Sequence, residues 1–471
     1  MTRYTTIPEI DRVYALQQRS KALFKQTTAN ERIAKLKALS AVIGEHDFAI
    51  KEAIYKDFRK SHTETEVTEI MAIQMAIKET ITKLPKWMRD KPVKRVWKLF
   101  NVKPYLHYEP KGNTLIITPW NYPFNLPMAH LISSVAAGNT AIVKLTEHTP
   151  HINQVLRKII GAVFPETQVF VVEGEVPETS HLLGLRFDHI HFTGSPAVGK
   201  IVMKAASEHL ADITLELGGK SPAIIDKNVN LQQVVRNLIW GKFVNAGQTC
   251  IAPDYALVDV ALKDDIERVF QEELKHAFGE DPQQSTDFAR IINAAHFERL
   301  TDALRQAQVS GARLIAGGRS DAAENYIEPT VLTDIAASDN LMQDEIFGPI
   351  FPLVYYHDIG DALQLIEEKE KPLALYIFSK SDGFIDYVLA HTTAGGTCIN
   401  DTLIHLMHPG LPFGGVNNSG IGQSLGKFGF KAFSHERAVA DVTIQPMSKL
   451  FWFPYGEKTQ KILRFVRKLM G

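Results

Sequence analysis

The 471-residue chain has only two cysteines, Cys250 and Cys398. So few thiols exclude a disulfide-stapled fold and are typical of a reducing compartment. No apolar run approaches the ~20 residues that a membrane-spanning helix needs. The polar amino terminus also lacks the apolar core of a secretion signal. We therefore expect a cytoplasmic protein whose cysteines stay free.

An excess of charge of one sign is also lacking, because 52 lysines and arginines oppose 53 aspartates and glutamates, for a net charge of −1. Without a basic excess, the sequence indicates no nucleic-acid partner. A hydrophobic content of 45% is ordinary for a globular chain with a large core. The length predicts two or three domains. No spacing of histidines and cysteines is typical of a metal site, so we expect no metal.

Strand-like and helix-like segments alternate from residue 113 onward, after a helical stretch over residues 9–83. Within that stretch, Asn30 followed by Glu31 indicates a helix start. The strand-like segments comprise residues 114–118, 140–144, 169–172 and 189–193, and then residues 223–225, 256–258 and 374–378. This alternation predicts an α/β fold, with a doubly wound, Rossmann-like sheet followed by a second α/β region from about residue 218 to 402.

Cys250 lies in the segment Phe243–Asp254, which follows an apolar, helix-like run. Gly247 and Pro253 interrupt the helical pattern, which predicts a constrained turn around the thiol. A free cysteine is most often a small buried hydrophobe, and Cys250 fits that interpretation; a catalytic nucleophile is the alternative. We expect Cys398, in a strand-like run, to serve packing alone.

Three further segments accompany Gly247–Cys250 along the chain. They are Pro119–Pro123 (Pro-Trp-Asn-Tyr-Pro), Leu215–Pro222 (Leu-Glu-Leu-Gly-Gly-Lys-Ser-Pro) and Glu345–Pro349 (Glu-Ile-Phe-Gly-Pro). In this order the four resemble the signature blocks of the NAD(P)-dependent aldehyde dehydrogenase superfamily. The sequence Gly-Gln-Thr-Cys-Ile-Ala-Pro-Asp-Tyr and the short amino terminus are most similar to its class 3 branch, the fatty and aromatic aldehyde dehydrogenases. The resemblance extends to about Arg437, nearly the whole chain.

The resemblance implies an NAD(P)-binding domain, a catalytic domain, a small β arm that bridges two subunits of a homodimer, and a tail. The NAD(P)-binding domain would comprise residues 1–84 and 113–217, and the catalytic domain residues 218–431. The β arm would comprise residues 85–112 and 432–448, and the tail residues 449–471. The residues themselves predict a strand over 105–109, ahead of a turn at Pro110, and a last strand over 442–444.

The resemblance also implies oxidation of an aldehyde to the carboxylate with hydride transfer to NAD(P). Cys250 would attack the carbonyl carbon to form a thiohemiacetal, from which hydride can leave. The side-chain amide of Asn121 and the backbone N–H of Cys250 would stabilise the oxyanion. Glu216 would activate the water that hydrolyses the resulting thioester; taken alone, it is a capped or solvated carboxylate. Relatives that pass the acyl group to coenzyme A generally lack this glutamate, so we expect a free carboxylate product.

The ordinary Gly-x-Gly-x-x-Gly fingerprint is absent, and Phe192–Gly199 takes its place after a strand. Ser195 is a good N-cap and Pro196 suits a first helical turn, so the N–H groups of this helix start suit a pyrophosphate. A capped helix after a turn is the alternative. By resemblance, the cofactor loop comprises Gly194, Ser195, Pro196, Ala197, Val198 and Gly199.

Lys144 and Glu147 end another strand, where solvated charges are the ordinary interpretation. The resemblance assigns both to the adenosine ribose, and a carboxylate there disfavours a 2′-phosphate. We expect NAD, with NADP as the alternative. Glu345 and Phe347 match the pair that orients the nicotinamide-side ribose. Phe413 matches a residue that lines the aldehyde entrance.

Residues 449–471 carry six lysines and arginines against one glutamate. Ile462, Val466, Leu469 and Met470 share one face of a predicted helix. This pattern is typical of an interfacial amphipathic helix with weak peripheral membrane contact. We favour a helix docked on the partner subunit or near the substrate entrance, because one short helix without a lipid anchor binds membranes weakly.

Two other functions stay open from the residues. One is a cysteine-dependent ester or thioester hydrolase that uses Cys250 and Glu216 without redox chemistry. The other is a catalytically dead structural relative, against which the joint presence of Cys250, Glu216 and Asn121 argues. Aldehyde-dependent NADH formation separates the dehydrogenase from the hydrolase. For the dehydrogenase, we expect a medium- or long-chain aliphatic or an aromatic aldehyde.

Overall fold

The computed structural model describes residues 4–99, 101–442, 448–449 and 452–470. In chain order its helices are α1 (Ile7–Lys25), α2 (Ala29–Glu45), α3 (Asp47–Phe58), α4 (His62–Thr65), α5 (Met71–Trp87), α6 (Asn125–Ala137), α7 (Pro150–Val163), α8 (Val176–Gly184), α9 (Pro196–His209), α10 (Leu231–Phe243), α11 (Lys263–Phe278), α12 (Ala294–Val309), α13 (Asn340–Gln343), α14 (Ile359–Glu367), α15 (Asp382–His391), α16 (Gly426–Ala432) and α17 (Glu457–Met470). A widened π-helical turn, Glu66–Ile70, joins α4 to α5.

The strands form two large parallel sheets and two small antiparallel ones. In chain order they are β1 (Lys91–Pro92), β2 (Val102–Pro110), β3 (Asn113–Ile117), β4 (Thr140–Leu145), β5 (Val169–Glu173), β6 (His189–Gly194), β7 (Asp212–Leu217), β8 (Pro222–Ile225), β9 (Tyr255–Asp259), β10 (Arg313–Ala316), β11 (Ser320–Asp321), β12 (Tyr326–Ile327), β13 (Thr330–Thr333), β14 (Ile350–Tyr356), β15 (Ala374–Phe378), β16 (Gly396–Ile399), β17 (Gly420–Ile421) and β18 (Ser434–Val442).

The first large sheet has the strand order β17-β7-β6-β3-β4-β5, and all its pairs are parallel except β17 with β7. Every residue of β3 and β4 is buried, which explains their nearly continuous apolar sequences. The chain winds outward from β3 to β5 and then returns to β6 on the other side of β3. The strand order therefore reverses between β3 and β6, which opens a crevice at their carboxyl ends. The predicted doubly wound sheet is confirmed.

The second large sheet has the order β10-β13-β14-β9-β8-β15-β16, parallel except for the pair β10 and β13. Only Gly218 to Ser221 separate the end of β7 from the start of β8. The carboxyl edge of the first sheet therefore meets the amino edge of the second. Cys250 lies just before β9 and Glu216 lies near the end of β7, so both come to this junction.

A third sheet, β1-β2-β18, is antiparallel, with a continuous register from Ser434 opposite Pro110 to Val442 opposite Val102. The predicted strand over residues 105–109 is confirmed within β2. Of the last predicted strand, Val442 ends β18, and residues 443–444 lie outside the described residues. Most of β18 is exposed.

The predicted tail helix is present as α17. Ile462 and Val466 of its apolar face are partly buried, whereas Leu463 and Phe465 are 48% and 66% exposed. The side chains of residues 469 and 470 and all of residue 471 lie outside the described part of the chain. No helix in that part is both long and apolar enough to cross a bilayer.

Two sequence expectations differ from the structure. The second helix starts at Ala29, not at Asn30, because Thr28 and Glu31 form a capping box in which each side chain accepts the other's backbone N–H. The last part of the expected catalytic domain, residues 218–431, also does not belong to the second sheet. There β17 pairs with β7, and α16 packs on α5 and α6, because the backbone groups at the β7 edge need partners.

A buried ion pair joins the π-helical turn to the loop between β3 and α6. Lys60 and Glu69 are fully buried with their charged atoms 3.0 Å apart. Glu69 also accepts hydrogen bonds from the N–H groups of Phe124 and Asn125 at 3.0 and 2.8 Å. The ammonium of Lys60 lies 4.1 Å from the centre of the Tyr122 ring. Three charged or aromatic contacts therefore support one loop.

We predict that Lys60→Met lowers the free energy of unfolding by about 3–5 kcal/mol, because it leaves Glu69 buried without its cation. Denaturant unfolding measures the change. The control is Lys275→Met, which removes an exposed lysine from its pair with Glu280 and should change stability by less than about 1 kcal/mol. Equal effects of the two substitutions would contradict a structural role for the buried pair.

Candidate active site

The turn that carries Cys250 is a tight reversal between α10 and β9. Asn245 and Ala246 adopt left-handed conformations with φ of 55° and 52°, and Gly247 has a φ of 76°. A Cβ on Gly247 would overlap the carbonyl oxygen of Gly348, so glycine allows an approach that other residues would block. The predicted constrained turn is confirmed.

Gln248 braces this turn from inside the protein. Its Nε2 donates to the carbonyl oxygens of Asn245 and Arg290, both at 3.0 Å. Its Oε1 accepts from the N–H of Ile292 at 3.0 Å. The side chain is fully buried, so the turn cannot move without leaving buried polar groups unsatisfied.

Asn121 connects the turn to the loop after β3. Its Nδ2 donates to the carbonyl oxygen of Gln248 at 3.0 Å, and the Nδ2 of Asn245 donates to the carbonyl oxygen of Asn121 at 2.8 Å. An amide nitrogen carries two hydrogens, so Asn121 has one more N–H to offer. The hydroxyls of Tyr122 and Thr249 lie 2.6 Å apart. Two loops that are distant in sequence therefore form one unit.

The Cys250 side chain is only partly exposed at this junction. The backbone N–H groups of Cys250 and Ile251 face its sulfur. Burial, followed by the charges of Glu345 and Glu216, nevertheless raises the pKa of the thiol, because low polarity and nearby negative charge both disfavour a thiolate. An added positive charge in the site would favour the reactive form.

Glu216 is held by four side chains near the end of β7. It accepts hydrogen bonds from the hydroxyls of Ser424 and Thr193, the latter at 3.2 Å. The Nε2 atoms of His130 and His191 lie 3.4 and 3.9 Å from its Oε2. Burial acts to raise the pKa of Glu216, but the electrostatic and hydrogen-bonding contacts with His130, followed by those with His191, hold it well below its usual value. The group is therefore a carboxylate at neutral pH.

Two cavities meet at Cys250 and Glu216. The first, of about 220 Å³, opens at the carboxyl ends of β3 and β6 and is lined by Pro119, Trp120, Asn121, Thr193, Gly194, Ser195, Glu216, Leu217, Gly218, Cys250, His296, Arg299, Glu345 and Phe347. The second, of about 140 Å³, is mainly apolar and is lined by Val67, Thr68, Ala72, Tyr122, Asn125, Leu126, His130, Glu216, Trp240, Val244, Thr249, Cys250, Ile251, Leu403, Leu406, Met407, Phe413 and Leu425. The predicted entrance residue Phe413 thus lies in the cavity that contains Cys250.

The cofactor loop predicted from the sequence starts α9. The Oγ of Ser195 accepts from the N–H of Val198 at 3.4 Å, which makes Ser195 the N-cap. A Cβ on Gly199 would lie 2.8 Å from the Leu217 side chain, so glycine lets the helix lie close to β7. Gly194 and Ser195 line the first cavity, whereas Ala197 and Val198 in the first helical turn, beside Pro196, are exposed.

Lys144 and Glu147 lie near the end of β4, one strand outward from β3. The Nζ of Lys144 donates to the carbonyl oxygen of Leu145 at 2.7 Å and lies 3.7 Å from the Glu147 carboxylate. Lys144 is buried and Glu147 is partly exposed. They share the carboxyl edge with the first cavity but are not among its lining residues.

Glu345 and Phe347 enter the first cavity from the side of the second sheet. A Cβ on Gly218 would overlap the Glu345 carboxyl group, so the glycine leaves room for it. Burial, together with the charge of Asp254, raises the pKa of Glu345 to about 8. The ring of Phe347 packs edge-on against Trp120, with 5.4 Å between the ring centres.

The residues around Glu216 were not predicted from the sequence. His130 comes from α6, Thr193 and His191 from β6, and Ser424 from the segment after β17. They share no local pattern, because they come from three separate regions of the chain. The alternation of His189-Ile-His191 in a buried strand was the one available signal. Cys398 lies in β16 and is 5% exposed, in keeping with a packing role.

The model of the aldehyde dehydrogenase family matches residues 2–439. The chain belongs to the aldehyde dehydrogenase family. Members of aldehyde dehydrogenase family 3 are 40–42% identical to it, which confirms the expected class 3 branch. This aldehyde dehydrogenase is thus an enzyme that oxidises an aldehyde to the acid with NAD(P), and the expected α/β fold, reaction and cofactor class are confirmed.

Three relatives illustrate how far the similarity extends. The 4,4'-diaponeurosporen-aldehyde dehydrogenase of Staphylococcus aureus (strain NCTC 8325 / PS 47) is 42% identical over 451 residues, which cover 95% of this chain and 98% of the relative. The dimeric NADP-preferring aldehyde dehydrogenase of Rattus norvegicus is 42% identical over 407 residues, covering 86% and 89%. A solved structure, the substrate-bound state of Staphylococcus aureus AldH, superposes with a TM-score of 0.93 at 40% identity, covering 98% of this chain and 100% of that one.

We predict that alkylation of Cys250 by iodoacetamide in the cofactor-free enzyme is slow at neutral pH and still accelerates above pH ~9, where an ordinary thiol of pKa ~8.5 has levelled off. The raised thiol pKa is the reason. A Cys398→Ser background restricts labelling to Cys250. In that background Glu345→Gln should speed labelling above about pH 8, where the native carboxyl is ionised. A rate that levels off near pH ~8.5 would contradict the prediction.

Proposed function

We propose that Cys250, Asn121 and Glu216 carry out the aldehyde oxidation of this enzyme. The observation that carries the proposal is that Cys250 and Glu216 line both cavities. A small reactant in the second cavity and a cofactor in the first would therefore meet at the same sulfur and the same carboxylate.

In the first step, the sulfur of Cys250 attacks the aldehyde carbon and forms a thiohemiacetal. The negative charge that develops on the aldehyde oxygen is stabilised by the second N–H of Asn121 and by the backbone N–H of Cys250. Loss of one such donor typically costs about 3 kcal/mol of transition-state stabilisation. The bonds from Asn121 and Asn245 hold these donors in place beforehand.

When bound, NAD(P) would supply the acceptor for the hydride of the thiohemiacetal carbon, and a thioester would remain on Cys250. Glu216 then activates a water molecule that attacks the thioester carbon. The C–S bond breaks and the carboxylic acid departs. Because Glu216 is ionised and lines the same cavities as Cys250, it is available as the base for this step.

The first cavity suits the nicotinamide end of a dinucleotide, whose other end would lie along the same carboxyl edge of the first sheet. The capped start of α9 presents backbone N–H groups at the crevice between β3 and β6, where a pyrophosphate is favoured. Lys144 and Glu147 would hold the adenosine ribose, and Glu345 and Phe347 the nicotinamide-side ribose. We infer a preference for NAD, with NADP as the alternative, since the Glu147 carboxylate disfavours a 2′-phosphate; the rat relative is named NADP-preferring.

The second cavity supports a medium- or long-chain aliphatic aldehyde or an aromatic aldehyde as the substrate. Its lining is mainly aliphatic and aromatic, including Trp240, Leu406 and Phe413. Burial of apolar substrate surface in such a lining is favourable by roughly 0.8 kcal/mol per methylene. A Staphylococcus aureus relative is named for a 4,4'-diaponeurosporen aldehyde.

We assign the first sheet to an NAD(P)-binding domain (residues 1–84 and 113–217) and the second to a catalytic domain (residues 218–431), with β17 and α16 returning to the first. Residues 85–112 and 432–448 would bridge a homodimer; the exposure of β18 supports this, and the rat relative is named dimeric. The partly buried apolar face of α17 favours docking of the tail on protein over membrane contact. The free thiols support a cytoplasmic location.

We predict that Cys250→Ala abolishes aldehyde-dependent NADH formation, because no thiohemiacetal can form, while the cofactor still binds. Nicotinamide absorbance measures turnover, and quenching of protein fluorescence by NADH measures binding. Cys398→Ser is the matched control and should retain turnover, since Cys398 packs away from both cavities. Undiminished turnover of Cys250→Ala would refute the assignment of the nucleophile.

We predict that kcat/KM rises by up to about 4-fold per added methylene along a series of linear aldehydes until the second cavity is filled. Steady-state kinetics with short, medium, long and aromatic aldehydes, each with NAD and with NADP, measures this. Glu147→Gln should raise the rate with NADP relative to NAD. A kcat/KM that stays constant or falls with chain length would contradict the proposed substrate class.

A further inference from the structure

A histidine lies in the same cavity as the nucleophile. His130, on α6, lines the second cavity together with Cys250 and Glu216. Its side chain is 1% exposed, and its Nε2 lies 3.4 Å from the Oε2 of Glu216. A nucleophile, a carboxylate and an imidazole that are far apart in the sequence therefore surround one small cavity.

The second histidine of the cluster packs against the first. The ring centres of His130 and His191 lie 3.6 Å apart at an angle of 34°. Of their four ring nitrogens, the two Nε2 atoms have only the long contacts to Glu216, at 3.4 and 3.9 Å, and the two Nδ1 atoms have no hydrogen-bond partner among the described residues. Buried polar atoms of this kind are costly, so an imidazole pair kept beside the carboxylate of an active site calls for a chemical role.

Two roles fit a buried cluster of two histidines and a carboxylate: binding of a metal ion or transfer of a proton. Ligand atoms of His130, His191 and Glu216 lie within 4.8 Å of one another. Two imidazoles that bind one ion extend outward from it, which places their ring centres about 5 Å apart. The two tilted rings, with centres 3.6 Å apart, do not have this arrangement, and we argue for proton transfer.

We propose that Glu216 and His130 act as a pair in the hydrolysis of the Cys250 thioester, and that the proton lost by water comes to rest on the imidazole of His130. The proposal rests on the roles given above to Cys250 and Glu216. The water oxygen bonds to the thioester carbon as its proton moves to the pair. The C–S bond then breaks, its electron pair leaves on sulfur, and His130 returns the proton to the sulfur.

The charges around Glu216 favour the imidazole as the holder of the proton. After transfer, the pair consists of an imidazolium beside a carboxylate, which attract each other strongly in a buried site. The alternative is a neutral carboxylic acid beside a neutral imidazole. The low pKa of Glu216 means that this carboxyl group retains a proton poorly.

His191 supports the pair but does not compete for the proton. Burial, followed by the neighbouring His130 imidazole, lowers the pKa of His191 to about 4. Its ring therefore stays neutral at physiological pH. A neutral ring stacked on His130 fixes the orientation of that imidazole toward Glu216 and disperses its charge when it is protonated.

The test uses His130→Gln, which retains a polar group beside Glu216 but cannot accept the proton. The NADH burst in the first turnover should keep its rate, because it precedes hydrolysis. The steady-state rate should fall about 10- to 100-fold, less than the loss of a whole general base, since Glu216 remains. Hydroxylamine, a nucleophile that attacks thioesters without a base, should restore turnover. His130→Phe retains the stacked ring and replaces the glutamine variant if that one does not fold.

The matched control is His189→Gln. His189 is fully buried, as His130 is, but it lies on β6 and contacts Lys111, Thr214 and Phe433. It should turn over within about 2-fold of the parent enzyme, as expected for a residue outside the site. The proposal is overturned if His130→Gln has an unchanged steady-state rate. It is also overturned if burst and steady state fall together without rescue by hydroxylamine.

A double variant measures the coupling of the pair. Glu216→Gln combined with His130→Gln should hydrolyse the thioester no more slowly than Glu216→Gln alone, because each residue acts through the other. Additive losses would show two independent functions and contradict the pair. If the parent enzyme itself forms no NADH from aldehyde, the assignment of the reaction fails. If the parent enzyme is active and the His130 variant has the same activity, only the role proposed for His130 is rejected.

Discussion

The reciprocal hydrogen bonds between Asn121 and the Cys250 turn are the constraint on which the site depends. Asn121 donates to Gln248, and Asn245 donates back to Asn121. Because these groups are buried, breaking either bond leaves a polar atom unsatisfied at a cost of about 1–3 kcal/mol. The amide and the backbone N–H that we propose as donors to the aldehyde oxygen are therefore positioned before a substrate enters. The ion pair of Lys60 and Glu69 supports the same loop from the opposite side.

The path of the chain between the two large sheets explains why one sulfur can serve two cavities. The chain passes from β7 to β8 through Gly218 and Gly219, and both glycines lie close to neighbouring groups, the carboxyl of Glu345 and the backbone of Pro372. The sheets therefore meet edge to edge with little between them. The first cavity lies at the strand ends, and the second lies among α5, α6, α10 and the loops beside them. Cys250 and Glu216 lie where the two cavities meet.

A buried carboxylate is costly, and the surroundings of Glu216 show how the fold compensates for it. Two hydroxyls and two imidazoles face its oxygens. Each interaction stabilises the ionised form, which is the form that a base requires. The same set of contacts makes Glu216 a poor place for a proton to stay. We infer from this that general-base catalysis here involves a pair of residues, and that the reactivity of Glu216 depends on α6 and β6 as much as on its own strand.

Local chemistry allowed much of this protein to be predicted from sequence. The spacing of apolar residues marked the strands of both sheets, and Gly247 and Pro253 marked the turn that carries Cys250. Three of the four family blocks marked Cys250, Glu216 and Asn121. Thr28 was missed as a helix cap because Asn30 and Thr28 both suit that position, and only the reach of Glu31 decides between them. The return of β17 to β7 and the approach of His130 to Glu216 were decided by the tertiary structure alone. Pairing of strand edges and contact between side chains of separate elements depend on how the layers pack, and no local pattern of residues records that packing.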